Sequence, residues 1–388
     1  MKRLGHAKTT SFSSLKNMAK VAALGMLLAD PIFTGCATQG SGIKSMETRL
    51  VEGMDVNEKD EDGKTPLMWA AFTGQKSWVK TLIAKKADVN ASDKNGSTAL
   101  MKADSAEIAG MLIAGGADVN ARDGEGNTAL RKAAAMGSED IARLLIAKGA
   151  NVNSMNNDGD SVLMCAAAME RVGIVRLLIA KGADVNMEDN VGRTALMVAA
   201  WSDITGMVEL LLEHGAAVDA RRRDNGATPL MEAARFGKTK NAIVLLMNGA
   251  EVNARNDNGE TALIAATKNE QGEVAALLVG SRADVNAQRK DGYSALMEAA
   301  GRGRVDIAML LVDAGADVNA KGDDGTTPLF HAVGIDNDVM VEMLAAKGAD
   351  VDAMDATGAT PMALARLMSD ITGHTRVIET LRRHGARE

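Results

Sequence analysis

Large rings are nearly absent from this sequence: its 388 residues include three Trp, one Tyr and five Phe. An interior with so few rings must be filled by Ala, Leu, Ile, Val and Met. Histidine is also sparse, with His6, His214, His331, His374 and His384 scattered along the chain. No His, Cys or carboxylate group has metal-ligand spacing, and no Ser/His/Asp constellation can be assembled. We therefore expect no catalytic residue, no metal and no cofactor, and hence no enzyme. The apolar run Val21–Ala29 is too short to span a bilayer as a helix. Basic charge is in deficit as well. The formal net charge is −7, and the first 35 residues carry five basic side chains and one acidic, which leaves −11 on the rest. Such a surface repels phosphate backbones, so nucleic acid is not an expected partner.

What the chain does contain is one phrase written ten times. Thr228-Pro229-Leu230-Met231-Glu232-Ala233-Ala234 recurs in close variants from Thr65, Thr98, Thr128, Ser161, Thr194, Thr261, Ser294, Thr327 and Thr360. Successive starts lie 33 residues apart, except for one step of 30 and one of 34. A period in this range means stacked repeats. Counting the Thr or Ser as position one, its hydroxyl suits a helix N-cap. Pro66, Pro229, Pro328 and Pro361 follow at the first helical position, where the missing N–H costs nothing. Leu at position three and the small pair at six and seven share one helix face, and alanines there let a second helix approach. That second helix carries runs such as Ile141-Ala142-Arg143-Leu144-Leu145-Ile146. It ends at Gly116, Gly149, Gly182, Gly215, Gly249, Gly315, Gly348 or Gly385, suited to a left-handed C′ residue. Lys86 and Arg282 replace that glycine in two copies, which predicts slight strain there. A phrase such as Gly182-Ala183-Asp184-Val185-Asn186 then opens an extended turn.

In this order (T-P-L-x-x-A-A, I-V-x-L-L, G-A-D-V-N) the unit closely resembles the ankyrin repeat, over about residues 46–388. The resemblance implies an all-α solenoid of stacked helix–turn–helix units with short β-hairpin loops: ten repeats plus a partial cap around Met46–Asn57. The histidine of the family's T-P-L-H is Met at Met68, Met101, Met164, Met197, Met231 and Met297. Methionine fills that space apolarly. Trp78 stands where other copies have Ile and belongs to the core.

Irregular copies are legible too. The copy from Thr98 is three residues short between its helices, so its first helix must be clipped. An extra residue at Arg221-Arg222-Arg223 makes a basic hairpin tip. The last copy gains four residues around Ser369–Gly373, about one helical turn. Asn241 stands where its counterparts are Ile, Met or Val, suggesting a local hydrogen bond. Two look-alikes dissolve in the repeat. Gly124-Glu125-Gly126-Asn127-Thr128-Ala129 fits a dinucleotide pattern but lacks the preceding strand. Asp317-x-Asn319-x-Lys321-Gly322 lacks the closing Glu of a calcium loop.

Residues 1–35 stand apart: Lys2, Arg3, Lys8, Lys16 and Lys20, the short apolar run, then Phe33-Thr34-Gly35-Cys36. This order describes a secretory signal and resembles the lipobox of bacterial lipoproteins, although Phe33 replaces the usual Leu and Asp30-Pro31 interrupts the run. The resemblance implies cleavage before Cys36 and acylation of its thiol, with residues 36–45 as a tether. Met18 is an alternative start with a shorter basic lead. With Cys36 lipidated, Cys165 has no partner and no disulfide framework exists.

Helical geometry turns positions five, eight and nine away from the core. In the ankyrin family that side, with the hairpin tips, lines a concave binding groove. The partner-binding residues expected here are Trp69, Phe72, Met136, Met169, Trp201, Arg235, Phe236 and Arg302. At position five the side chain can instead tuck between repeats. The groove is expected to be apolar in its N-terminal half and charged beyond Glu232. The reading that follows is a non-catalytic, monomeric scaffold for a protein partner in the bacterial cell envelope. It would sit on the periplasmic side of the outer or inner membrane through lipid at Cys36, or be soluble or secreted if the leader is merely cleaved. Inhibition or protection of an envelope enzyme, or delivery as an effector into another cell, are the alternatives.

Overall fold

Most first helices of the repeat begin where a hydroxyl meets a free backbone N–H. In the computed structural model, which describes residues 55–387, the Thr65 hydroxyl accepts from the Met68 amide at 3.3 Å and opens α1 (Pro66–Phe72). The leader 1–35, Cys36, the tether 36–45 and most of the expected N-terminal cap lie outside the described residues. These divide after Asn151 into two compact units.

In the first unit α1 is followed by α2 (Lys76–Ala84), a single 3₁₀ turn (Leu100–Lys102), α3 (Ala106–Ala114), α4 (Ala129–Met136) and α5 (Glu139–Ala147). The 3₁₀ turn is the clipped helix that the short copy requires. In this copy the buried Thr98 hydroxyl oxygen has no hydrogen-bond partner.

In the second unit the helices are α6 (Val162–Ala168), α7 (Val172–Ala180), α8 (Ala195–Ala200), α9 (Thr205–Glu213), α10 (Pro229–Arg235), α11 (Thr239–Met247) and α12 (Ala262–Lys268). Then come α13 (Gly272–Gly280), α14 (Ala295–Gly301), α15 (Val305–Asp313), α16 (Pro328–Gly334), α17 (Asp338–Ala346), α18 (Pro361–Thr372) and α19 (Arg376–Arg383). First helices α6, α8, α10, α12, α14, α16 and α18 stack in order, and second helices α9 to α19 stack beside them. Ser161, Thr194, Thr228, Thr261, Ser294 and Thr360 cap their helices through side-chain oxygen, while Thr327 does not. The added turn of the last copy lengthens α18 to 12 residues.

The core is what the periodicity requires. Leu67, Leu130, Leu163, Leu196, Leu230, Leu263, Leu296 and Leu329 are buried, as are the pairs at positions six and seven beside them (Ala-Ala except Ala266-Thr267 and Ala332-Val333), Trp78, and five of the six methionines that replace histidine. Each buried Leu contributes about 1.5–3 kcal/mol. Met101, on the 3₁₀ turn, is only half-buried.

The turns are held by polar staples between successive copies. Asn186 donates through Nδ2 to the Gly215 carbonyl at 3.0 Å, and its Oδ1 accepts from the Ala217 amide at 2.8 Å. The same pair of bonds recurs at Asn90, Asn120, Asn153, Asn286 and Asn319. Asp219 and Asp352 keep only the accepting half. The expected hairpins are turns rather than strands. Among the described residues they are closed by isolated antiparallel bridges at Ser92–Thr98, Met155–Ser161 and Gln288–Ser294. Backbone bonds join one loop to the next, as from the Lys94 amide to Asp62 O (2.9 Å) and from the Ala356 amide to Asp324 O (2.8 Å).

Lys86 and Arg282 do adopt left-handed angles, with φ of 67° and 64°. Glu170, Glu270 and Asp336 adopt them as well, at the turn between helices where other copies have glycine. Asn241 has a longer reach than expected. Its Nδ2 donates to the carbonyls of Ala199 (3.2 Å), Ala200 (3.0 Å) and Ser202 (2.9 Å), at the end of α8 in the preceding copy.

Candidate functional site

Position five of the repeat, read from helical geometry as outward, is governed by the loop nine residues before it. The loop residue uses one carboxylate oxygen to hold its own turn. Asp93 Oδ1 accepts from the Asn95 and Ser97 amides, both at 2.9 Å. The other oxygen faces position five. Trp69 Nε1 donates to Asp60 Oδ2 at 2.8 Å, and Lys102 and Lys132 meet Asp93 and Asp123 at 2.8 and 2.9 Å. Burial raises the Asp93 and Asp123 carboxyls, but the lysines and the turn amides outweigh it and hold both below the usual carboxylate range. In the second unit the polarity inverts. Arg222 reaches Glu232 at 3.2 Å, and Arg289 reaches Glu298 at 2.7 Å. Asp224 and Asp291 complete the two forks.

This clamp sets how the charge expected beyond Glu232 is disposed. Glu232 is only 3% exposed, and both it and Glu298 are matched by an arginine from the loop, so the face beyond Glu232 is not a row of free carboxylates. Cys165 and Val198, at the same position, are buried. The Arg221-Arg222-Arg223 tip is divided likewise: Arg222 turns inward, while Arg221 and Arg223 stay exposed.

Positions eight and nine do face outward, except at Ser202, which is buried. In the first unit Phe72 is 43% and Met136 71% exposed. Trp69 is half-buried; its ring lies edge-on to Phe72 at 6.2 Å, with Lys64 Nζ 4.7 Å from its centre. In the second unit Trp201 and Phe236 meet edge-on at 5.9 Å, and the Arg235 guanidinium lies 5.6 Å from the Phe236 ring. Met169 is half-buried. Arg302 is exposed, 3.5 Å from Glu298 on its own helix.

A feature of the same face escaped the sequence reading. Position eight is glycine at Gly301 and Gly334, and the missing side chains leave a cleft of about 600 Å³. Phe330, His331, Ile335, Ala363, Leu364 and Leu367 line it, with Thr326, Asp355 and Ala359 at its polar side. Burial pushes the His331 imidazole below its ordinary range despite the carboxylates of Asp324 and Glu298, so its ring is neutral at pH 7. The ring lies against Tyr293 at 5.0 Å, with Thr326 Oγ1 3.3 Å from Nε2. Small residues at position eight beside bulky ones in the next copy were the available signal.

Among the described residues no group of three His, Cys, Asp or Glu side chains is placed to hold a metal ion, and no helix is long and apolar enough to cross a membrane. A search among curated proteins found no match. Residues 36–123, 104–189, 174–256 and 230–322 match the family model described as ankyrin repeats in three copies, and residues 324–356 match that of a single ankyrin repeat. With stacked helix pairs, glycine-ended turns and family matches over most of its length, the chain belongs to the ankyrin-repeat family.

Proposed function

We propose that the chain is a non-catalytic scaffold that docks a partner protein on the first-helix face. Ankyrin repeats in general mediate protein–protein interaction. The observation that carries the proposal here is the Trp201–Phe236 pair with Arg235 beside it. The repeat packs its core without these rings, yet Phe236 is 42% exposed. Exposed apolar groups beside polar ones mark contact surfaces, and Trp and Arg are favoured anchors. Docking is by shape and desolvation, without turnover.

The leader supports a location. Its basic lead, short apolar run and Thr34-Gly35-Cys36 support a bacterial-envelope location, with acyl groups on Cys36 as the anchor. Labelled palmitate should enter the wild-type chain and not Cys36→Ser; equal labelling would refute the anchor.

Affinity capture compares wild-type protein with Trp201→Ala/Phe236→Ala. Truncating two anchors typically costs at least 2 kcal/mol, about thirtyfold in affinity, so specific partners should disappear from the double variant. Identical partners on both would remove this face from the account.

A further inference from the structure

The loop clamp is present in five copies, and one copy breaks it informatively. Five loop residues at this position are aspartates: Asp60, Asp93, Asp123, Asp189 and Asp355. The first three pair with Trp69, Lys102 and Lys132, and Asp189 pairs with Arg193. Asp355 faces Leu364 at position five, and leucine has nothing to donate. Its Oδ1 holds the turn in the usual way, accepting from the Thr357 and Ala359 amides at 2.8 and 2.9 Å and from the Thr357 hydroxyl at 2.7 Å. Its Oδ2 has no donor among the described residues. This carboxylate lines the apolar cleft beside Ala359, Ala363 and Leu364.

The cleft supplies no cation of its own to Asp355, since its histidine is neutral at pH 7. It is therefore a greasy floor with one unmatched negative group at its side. We propose that it seats a bulky apolar side chain of a peptide segment whose neighbouring Lys or Arg pairs with Asp355. The partner's cation stands in for the one that position five provides in the earlier copies. The apolar side chain takes the room left by Gly301 and Gly334, between Ile335, Leu364 and Leu367. The inference rests on the docking reading above and names the chemistry of what docks.

The test selects displayed short random peptides on the whole protein and on variants. Asp355→Asn removes the charge and keeps the turn, because Asn156 and Asn256 make the same amide bonds in their own loops. Asp355→Arg puts at that position the residue type that Arg289 occupies in another loop. Gly334→Leu fills the floor; a Cβ there meets only Leu364 Cδ2, at 4.0 Å. Leu367→Ala, at an exposed position, removes floor contacts without touching the core, and reads the floor should the glycine variant fold poorly.

Wild-type pools should enrich a basic residue beside Leu, Ile, Phe or Met. Asp355→Asn should weaken those peptides about tenfold or more, as expected for a lost charge-assisted hydrogen bond. Asp355→Arg should select acidic residues instead, and Gly334→Leu and Leu367→Ala should lose the pool. Peptides that depend on Trp201 and Phe236 but ignore Gly334→Leu and Asp355→Asn would overturn the cleft inference and leave the docking reading standing. If no peptide is enriched on any form, both fall.

Discussion

Replacing Gly292 by alanine is expected to cost about 3 kcal/mol, while the same change at Gly315 costs about 1 kcal/mol. Both glycines are left-handed, with φ of 77° and 92°, so conformational strain alone predicts equal losses of about 1–2 kcal/mol. A stiffer unfolded chain offsets about 0.4–1 kcal/mol of this in each case. Their surroundings decide the difference. A Cβ at Gly315 meets nothing within 4 Å, whereas at Gly292 it would lie 2.7 Å from the Asp323 amide nitrogen and 2.8 Å from Gly322 Cα. These are backbone atoms of the next loop, so no rotamer change relieves the contact. Moving the loop breaks the bond from the Asp323 amide to Asp291 O (3.0 Å), worth about 1 kcal/mol. Arg282 is an internal precedent, since at φ 64° the fold accepts a side chain at the position equivalent to Gly315. Urea denaturation of both variants checks the ranking; equal midpoints would show that the loop-to-loop contact carries no weight.

Asn241→Ile is the second large effect, and repeat consensus predicts the opposite sign. Isoleucine is what comparable copies carry, and it buries more apolar surface. We expect a loss of about 2–4 kcal/mol, because buried carbonyls at the end of α8 lose their donor. The cause lies one copy upstream. In seven other copies the tenth position is left-handed, and the next amide donates back to the helix, as Lys238 does to Ala233 O at 2.9 Å. Asp203 is not left-handed, and the Ile204 amide donates instead to the Ser202 hydroxyl at 3.2 Å. Asn241 supplies what that turn fails to. Asp203→Gly should therefore be worth more in the Asn241→Ile background than alone, a coupling that a double-mutant cycle reads. Strict additivity would refute the compensation.

These two sites mark where sequence reading stops. Caps, proline at the first helical position, glycine ends, the strained Lys86 and Arg282 corners, the clipped helix and the lengthened α18 are local, and each was legible from a residue and its near neighbours. Asn241 reaches carbonyls 39–42 residues back, beyond any local rule. Left-handed Glu170, Glu270 and Asp336 were hidden because residues other than glycine do the work of glycine. The clamp at position five joins residues whose identities change from Asp–Lys to Arg–Glu along the chain, so no fixed motif announces it. The cleft is made by side chains that are missing, and absences at Gly301 and Gly334 matter only when Leu364 and Leu367 are seen across from them. Trp201 and Phe236 were read as neighbours on one face because the repeat spacing alone places them there.

The central claim is that the first-helix face touches another protein. A photo-reactive benzoylphenylalanine placed at Phe236 reads it directly, with one at Met247, which is 81% exposed on the second helix α11, for comparison. The account predicts a discrete protein adduct from position 236 and none from 247. Adducts of equal yield from both positions, or none from 236, would contradict it.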